Sequence, residues 1–163
     1  VIANLYEASC AGVKIELVIR GICCLKAGIP GLSENITVHS IVGNFLEHAR
    51  ILYVENDGSP EVYMGSADWM PRNLDKRVEI MFPVEDPELK KQVIHILQVQ
   101  LEDNVKAHVL QPDGTYEKID KRGKVLVCAQ EQFCEEAIAM AKKAAEEAGH
   151  DVHNTRVFVP AEA

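Results

Sequence analysis

The sequence predicts an α/β fold, a mixed sheet flanked by helices with a C-terminal helical extension. Three observations carry that prediction. Runs rich in β-branched residues recur between positions 13 and 82, a proline-led helical pattern opens at Asp86-Pro87, and an Ala- and Glu-rich stretch follows from Gln130. A chain of 163 residues with 47 % apolar content can close one core. No apolar run approaches the roughly twenty residues of a membrane helix. The chain opens at Val1 inside a helical pattern and without a methionine, so it is expected to be a piece of a longer polypeptide.

The elements follow in order. Ile2, Leu5 and Tyr6 with Ser9 and Cys10 form the stripe of a first helix, which Gly12 is expected to close in the left-handed conformation. VKIELVIR, Val13 to Arg20, is dense enough in apolar residues for a strand covered on both faces. Its last residue, Arg20, opens into the Gly- and Pro-containing loop GICCLKAGIPGLS, and ligands of α/β sheets tend to bind at such strand ends. Ile36 to Val42 reads as the next strand, and Gly43 to Glu47 as a turn or short helix. RILYVE and EVYMGS, joined by NDGSP, predict a hairpin through Asp57-Gly58. Arg77 to Phe82 supplies a further strand, ended by Pro83.

Asp86 as N-cap and Pro87 in the first turn start a long helix with the stripe Leu89, Val93, Leu97, Leu101 and Val105, and His95 lies off that stripe as a surface residue. QPDGTYEKIDKRGK, with two turn signals, predicts a small solvent-facing hairpin, and Val125 to Ala129 a short strand. A helix over Gln130 to Gly149 and an edge strand in the tail complete the chain. His150 and His153 have a spacing that could bind a metal, but no third ligand is near and a loose polar terminus is expected.

Charge and cysteine content exclude some functions. The formal charge of −8 disfavours nonspecific nucleic-acid binding, which needs Lys and Arg against phosphates. Cys10, Cys23, Cys24, Cys128 and Cys134 are odd in number and contain no CxxC, which argues against a zinc site or a disulfide framework and fits a reducing compartment. A redox role for the adjacent Cys23 and Cys24 is weaker than buried or loop thiols.

One stretch carries chemistry. In FLEHARILYVENDGSPEVYMGSADWMPRN, His48 precedes a strand, Arg50 lies two residues on and so on the same side of an extended chain, and Glu55 falls on the opposite pleat. A histidine can take a phosphoryl group or pass a proton to a departing oxygen, and arginines pair with the oxyanion. The plainer alternative is a solvated histidine, surface charges at Arg50 and Glu55, and Ser66 with Asp68 as a helix cap.

His-x-Arg-x4-Glu followed by Gly-Ser-x-Asp is similar to the phospholipase D superfamily pattern of His-x-Lys-x4-Asp and Gly-Ser-x-Asn. NLYEASCAGVKIELVIRGICCL, GLSENITVHSIVGNFLEHARILYVEN and VYMGSADWMPRNLDKRVEIMFPVEDPELK together resemble the second phospholipase-D-like domain of bacterial polyphosphate kinases, over about Val1 to Ala107. The resemblance implies a phospholipase-D-like half-domain at 1–110, with 111–163 as a C-terminal hairpin and helix extension packed on it. It further implies reversible transfer of the terminal phosphate of ATP to polyphosphate through a phosphohistidine in a preceding domain absent here. His48 would be the second, acid/base histidine, Arg20 a nucleotide-phosphate ligand, and Arg50, Arg72 and Arg77 further phosphate contacts.

Mg²⁺ is implied as cofactor with ligands outside this segment. The implied partners are ATP or ADP, polyphosphate, the preceding domains and a second copy in a homo-oligomer, with no nucleic acid. The implied location is the cytoplasm or the periphery of the inner membrane. Alternatives are another phospholipase-D-like phosphotransferase half, acting on lipid or nucleic-acid phosphodiesters, or a noncatalytic oligomerisation or binding module. A lone half is expected to fold but to turn over ATP negligibly.

Overall fold

The structure, a computed structural model, describes residues 1–147. Val1–Cys128 form one compact unit and a second begins at Ala129. The first helix, α1 (Ile2–Cys10), ends as its sequence dictates. Gly12 takes φ +90°, and the Val13 amide reaches back to the Ala8 carbonyl at 3.0 Å.

β1 (Ile15–Val18) pairs in parallel with β2 (Ile36–Ile41), Ile15 opposite Ile36 and Val18 opposite His39. The connection between them, residues 19–35, contains no helix, although parallel strands are usually joined by one. Hydrogen bonds hold it instead: the Lys26 amide donates to the Tyr6 hydroxyl at 2.8 Å and the Ile29 amide to the Ser33 hydroxyl at 3.1 Å. Leu25 and Ala27 of this connection enter a core with Ile36, Val38 and Leu110, against which Leu5 and Tyr6 of α1 pack.

β6 (Ala107–Leu110) pairs antiparallel with β2, and β7 (Tyr116–Lys118) with β6, giving a mixed four-stranded sheet in the order β1-β2-β6-β7. One expectation changes here. β1 lies at the sheet edge with Glu16 exposed, so it is not covered on both faces. The hairpin around Asp113-Gly114 forms with β7 exposed, and its first strand also continues the sheet.

A second, antiparallel sheet has the order β3-β4-β5, from β3 (Ile51–Val54), β4 (Glu61–Gly65) and β5 (Met81–Pro83). The Asp57-Gly58 hairpin joins β3 to β4 with Val54 opposite Glu61. The expected strand over 77–82 shrinks to β5, with Val78 fully exposed. Its earlier residues serve side chains: the Ile80 amide donates to the Ser66 hydroxyl at 3.1 Å, and Glu79 is engaged by Ser66 and Asn73. Gly65 is required where β4 meets β5, since a Cβ there would stand 2.9 Å from the Ile80 carbonyl oxygen. Between these strands runs α2 (Pro71–Lys76), with Pro71 in its first turn.

α3 (Pro87–Glu102) starts as expected, the Asp86 carboxylate accepting the Glu88 and Leu89 amides at 2.9 Å each. Its Val93 and Ile94 pack on Val62, Val84, Ile51 and Met64 of the second sheet. The four-apart stripe does not survive intact. Leu89 is exposed and Val105 lies beyond the helix, while Val99 and Gln100 are buried. A four-residue step overshoots one turn by about 40°, so a long series drifts off any single face. The helix stops at Asp103, whose buried carboxylate collects the amides of Val105, Lys106 and Ala107 at 3.0, 2.7 and 3.1 Å and turns the chain into β6.

The strand expected at 125–129 is absent as such. The Asn104 side chain replaces a neighbouring strand, accepting from the Val127 amide at 3.1 Å and donating to the Val125 carbonyl at 2.7 Å. Among the described residues the second unit consists of α4 (Ala129–Glu147), which carries a Gln132–Glu136 hydrogen bond of 2.8 Å. Gly149, His150, His153 and the expected tail strand lie outside the described residues. Among the described residues no helix is long and apolar enough to cross a membrane.

Candidate active site

Arg20 stands two residues past the end of β1, and residues 42–50 between β2 and β3 have no regular secondary structure. The Arg20 guanidinium donates to the carbonyl of Glu47 and so fixes the residue before His48. Arg50, at the threshold of β3, donates to the His48 carbonyl and, across 2.6 Å, contacts His48 Nδ1. A guanidinium has only donors, so Nδ1 is the acceptor in this contact and Nε2 is left for another partner. Arg50 is held in turn by Asp68, with Nε at 3.1 Å and NH2 at 2.7 Å from Oδ1.

The Arg50 side chain is 14 % exposed, which removes it from bulk screening more than a surface pair. The hydrogen bond from Arg50 holds the Asp68 carboxyl below its usual range against the opposing effect of burial, with the charges of Arg50 and Arg20 assisting. Arg20, His48 and Arg50 therefore lie in one neighbourhood, with Arg20 on the carbonyl before His48 and Arg50 bonding both His48 and Asp68.

A second polar cluster adjoins it. The Ser66 hydroxyl and the Asn73 amide, the latter at 3.0 Å, hold the Glu79 carboxyl below its usual range, with Arg77 and Arg50 assisting electrostatically. A pocket of about 280 Å³ lies between Arg50 and Glu79 and the apolar side chains of Trp69, Leu74, Ile80 and Met81. Arg77 thus reaches the site's surroundings through Glu79.

Two residues of the motif are not gathered in. Glu55 accepts the Gly58 amide at 2.9 Å and belongs to the hairpin turn. Arg72 is exposed on α2, and no described interaction ties it to the cluster. Asp68 is not a helix cap either, because α2 begins at Pro71 after Met70 and Asp68 turns to Arg50. Glu47, Asn73, Glu79 and Gln100 were not identifiable as site residues from sequence. Only the position of Glu79, two residues after Arg77, offered any hint.

An α/β unit that gathers arginines and an N–H-bearing imidazole at the ends of two strands is built to hold an oxyanion such as phosphate. Residues 1–130 match the profile described as polyphosphate kinase C-terminal domain 2, and the chain belongs to that family. It is 49 % identical over 160 residues to the polyphosphate kinase of Lactiplantibacillus plantarum, covering 98 % of this chain and 22 % of that protein. With polyphosphate kinase 1 of Chlorobaculum tepidum the identity is 57 % over 132 residues, or 81 % of this chain and 19 % of the relative. The crystal structure of polyphosphate kinase from Porphyromonas gingivalis superposes with a TM-score of 0.78 at 43 % identity, covering 90 % of this chain and 22 % of that one. The fold is thus the expected α/β phospholipase-D-like half-domain. The chain spans about a fifth of the length of the relatives it matches.

Proposed function

We propose that this chain supplies one wall of the active site of a polyphosphate kinase, transferring the terminal phosphate of ATP reversibly to polyphosphate. The observation that carries the proposal is the proximity of Arg20 and His48: the Arg20 guanidinium holds the carbonyl next to His48, and Arg50 bonds both the His48 ring and Asp68. Arg20, Arg50 and Arg77 neutralise phosphate oxygens, and His48, with Nδ1 turned to Arg50, donates an Nε2–H hydrogen bond that stabilises charge on a departing or attacking oxygen, its acid/base part following only where the ring takes up a second proton. The nucleophilic histidine of the resemblance belongs to a preceding domain, so the segment by itself is inactive.

Mg²⁺, which the resemblance implies, would lower the charge repulsion between phosphates. Among the described residues no three His, Cys, Asp or Glu side chains group as ligands for it, and Asp68 and Glu79 are already engaged. Its ligands are assigned to the rest of the enzyme. Residues 111–163 are read as a C-terminal extension of the 1–110 domain, its hairpin joined to β6 within the compact unit Val1–Cys128. A homo-oligomer in the cytoplasm or at the inner membrane completes the reading.

The test is polyphosphate synthesis from ATP and Mg²⁺ by the full-length enzyme containing this segment. Arg20→Ala is expected to raise KM for ATP at least about tenfold, a loss equivalent to one charge-assisted hydrogen bond, while His95→Ala leaves the rate intact. Equal effects at the two positions would sink the assignment, as would synthesis at full rate by the 163-residue segment alone.

A further inference from the structure

Gln100 is an anomaly on α3. It sits on the buried side of the helix, only 6 % exposed, at a place where the packing of Val93 and Ile94 calls for an apolar residue. A buried amide is costly unless its hydrogen bonds are met. Its Nε2 donates to the Glu47 carboxylate, Oε2, at 3.3 Å. Glu47 is the residue whose backbone carbonyl receives the Arg20 guanidinium, and it directly precedes His48.

We propose that Gln100 is a positioning residue for the phosphate site, acting through Glu47 on Arg20 and His48; the proposal rests on the phosphate-binding role given to those two residues. The segment 42–50 forms no regular secondary structure, and its end is tied to β4 where the Arg50 carbonyl accepts the Gly65 amide at 3.0 Å. Ahead of that point side chains help to fix its course, among them Gln100 on the Glu47 carboxylate, Arg20 on the Glu47 carbonyl, and Arg50 on the carbonyl and ring of His48. Of these, only Gln100 comes from a regular helix, whose backbone is rigid. Arg20 and Arg50 lie outside the elements they adjoin. The helix is therefore the fixed point from which the segment is hung, and the Glu47 carbonyl passes that position to the Arg20 guanidinium.

The carboxylate–amide pair can be reversed without changing its shape. In the full-length enzyme Gln100→Glu sets two carboxylates against each other, and Glu47→Gln combined with Gln100→Glu restores one amide donor and one carboxylate acceptor. Inorganic tripolyphosphate is the probe, titrated calorimetrically beside wild type and Arg20→Ala, with thermal midpoints recorded. Gln100→Glu is expected to weaken tripolyphosphate binding about tenfold, the scale of one hydrogen bond to a charged group. The reversed pair should return it to within about threefold of wild type.

Amide hydrogen exchange over 43–50 should quicken in the single variant and recover in the double. Affinity that depends on Arg20 but ignores Gln100→Glu overturns the proposal alone. So does a reversed pair as weak as the single variant. Affinity indifferent to Arg20→Ala overturns the phosphate assignment and this proposal with it.

Discussion

The four-stranded sheet closes over Leu25, Ala27, Ile36, Val38 and Leu110, all buried, whereas the three-stranded sheet buries Val62 and leaves Tyr53, Val54, Met81 and Phe82 exposed. The polar network follows the opposite distribution. Arg50, Ser66, Asp68, Asn73 and Glu79 gather around the smaller sheet, and Arg20 is the main contribution of the larger one. Burial secures the first region and charge-assisted hydrogen bonds secure the second. Stability and phosphate chemistry are therefore expected to respond to different substitutions.

The sharpest division comes from His48→Ala in the full-length enzyme. Loss of a positioned proton donor should cut polyphosphate synthesis about a hundred- to ten-thousandfold, with the thermal midpoint unmoved because the ring is exposed. A parallel fall in both would break the distinction.

Next in size, Ile36→Ala, in the larger core at 2 % exposure, should cost about 2–5 kcal/mol in urea unfolding. Ile80→Ala, 63 % exposed just before β5 of the smaller sheet, should stay within about 0.5 kcal/mol. Gly65→Ala tests whether the smaller sheet has slack. Its Cβ meets the Ile80 carbonyl, so a loss of about 1–3 kcal/mol is expected, together with weaker phosphate binding as β5 and Glu79 shift.

The smallest effect is a difference in acid response. Burial pushes the His39 imidazole on β2 down, with Glu16 pulling it partly back, and its Nδ1 is buried without a partner. The native state then binds fewer protons than the unfolded chain, so this contribution is full above the ordinary imidazole range and is lost as pH falls through it. Asp68 is held low instead, so its contribution persists to lower pH and is lost only as pH falls through and below the ordinary carboxylate range. Urea midpoints at about pH 7, 5 and 2.5 separate the two windows, which lie at and below the ordinary imidazole and carboxylate values. His39→Leu should flatten the first step and leave the second.

What could be read from sequence depended on how local the cause was. Gly12, Asp57-Gly58 and Asp86-Pro87 announce a helix end, a hairpin and a helix start through backbone geometry that each residue imposes on itself. Turn signals at Asp113-Gly114 gave the hairpin but not its place in the sheet, because pairing with β2 is decided some seventy positions away. Val125–Ala129 had strand composition, yet Asn104 claimed its backbone. In the site, the charged motif residues stood out by type and spacing. Asn73, Glu79 and Gln100 did not, since their roles arise from neighbours supplied by other elements.

The contact between Arg50 and His48 Nδ1 bears on reversibility. With Nδ1 turned to a guanidinium that has only donors, Nε2 is the nitrogen left to meet a ligand. Under the proposed phosphate role, forward and reverse transfer would use that same atom, and the imidazole would speed the approach to equilibrium without favouring either side.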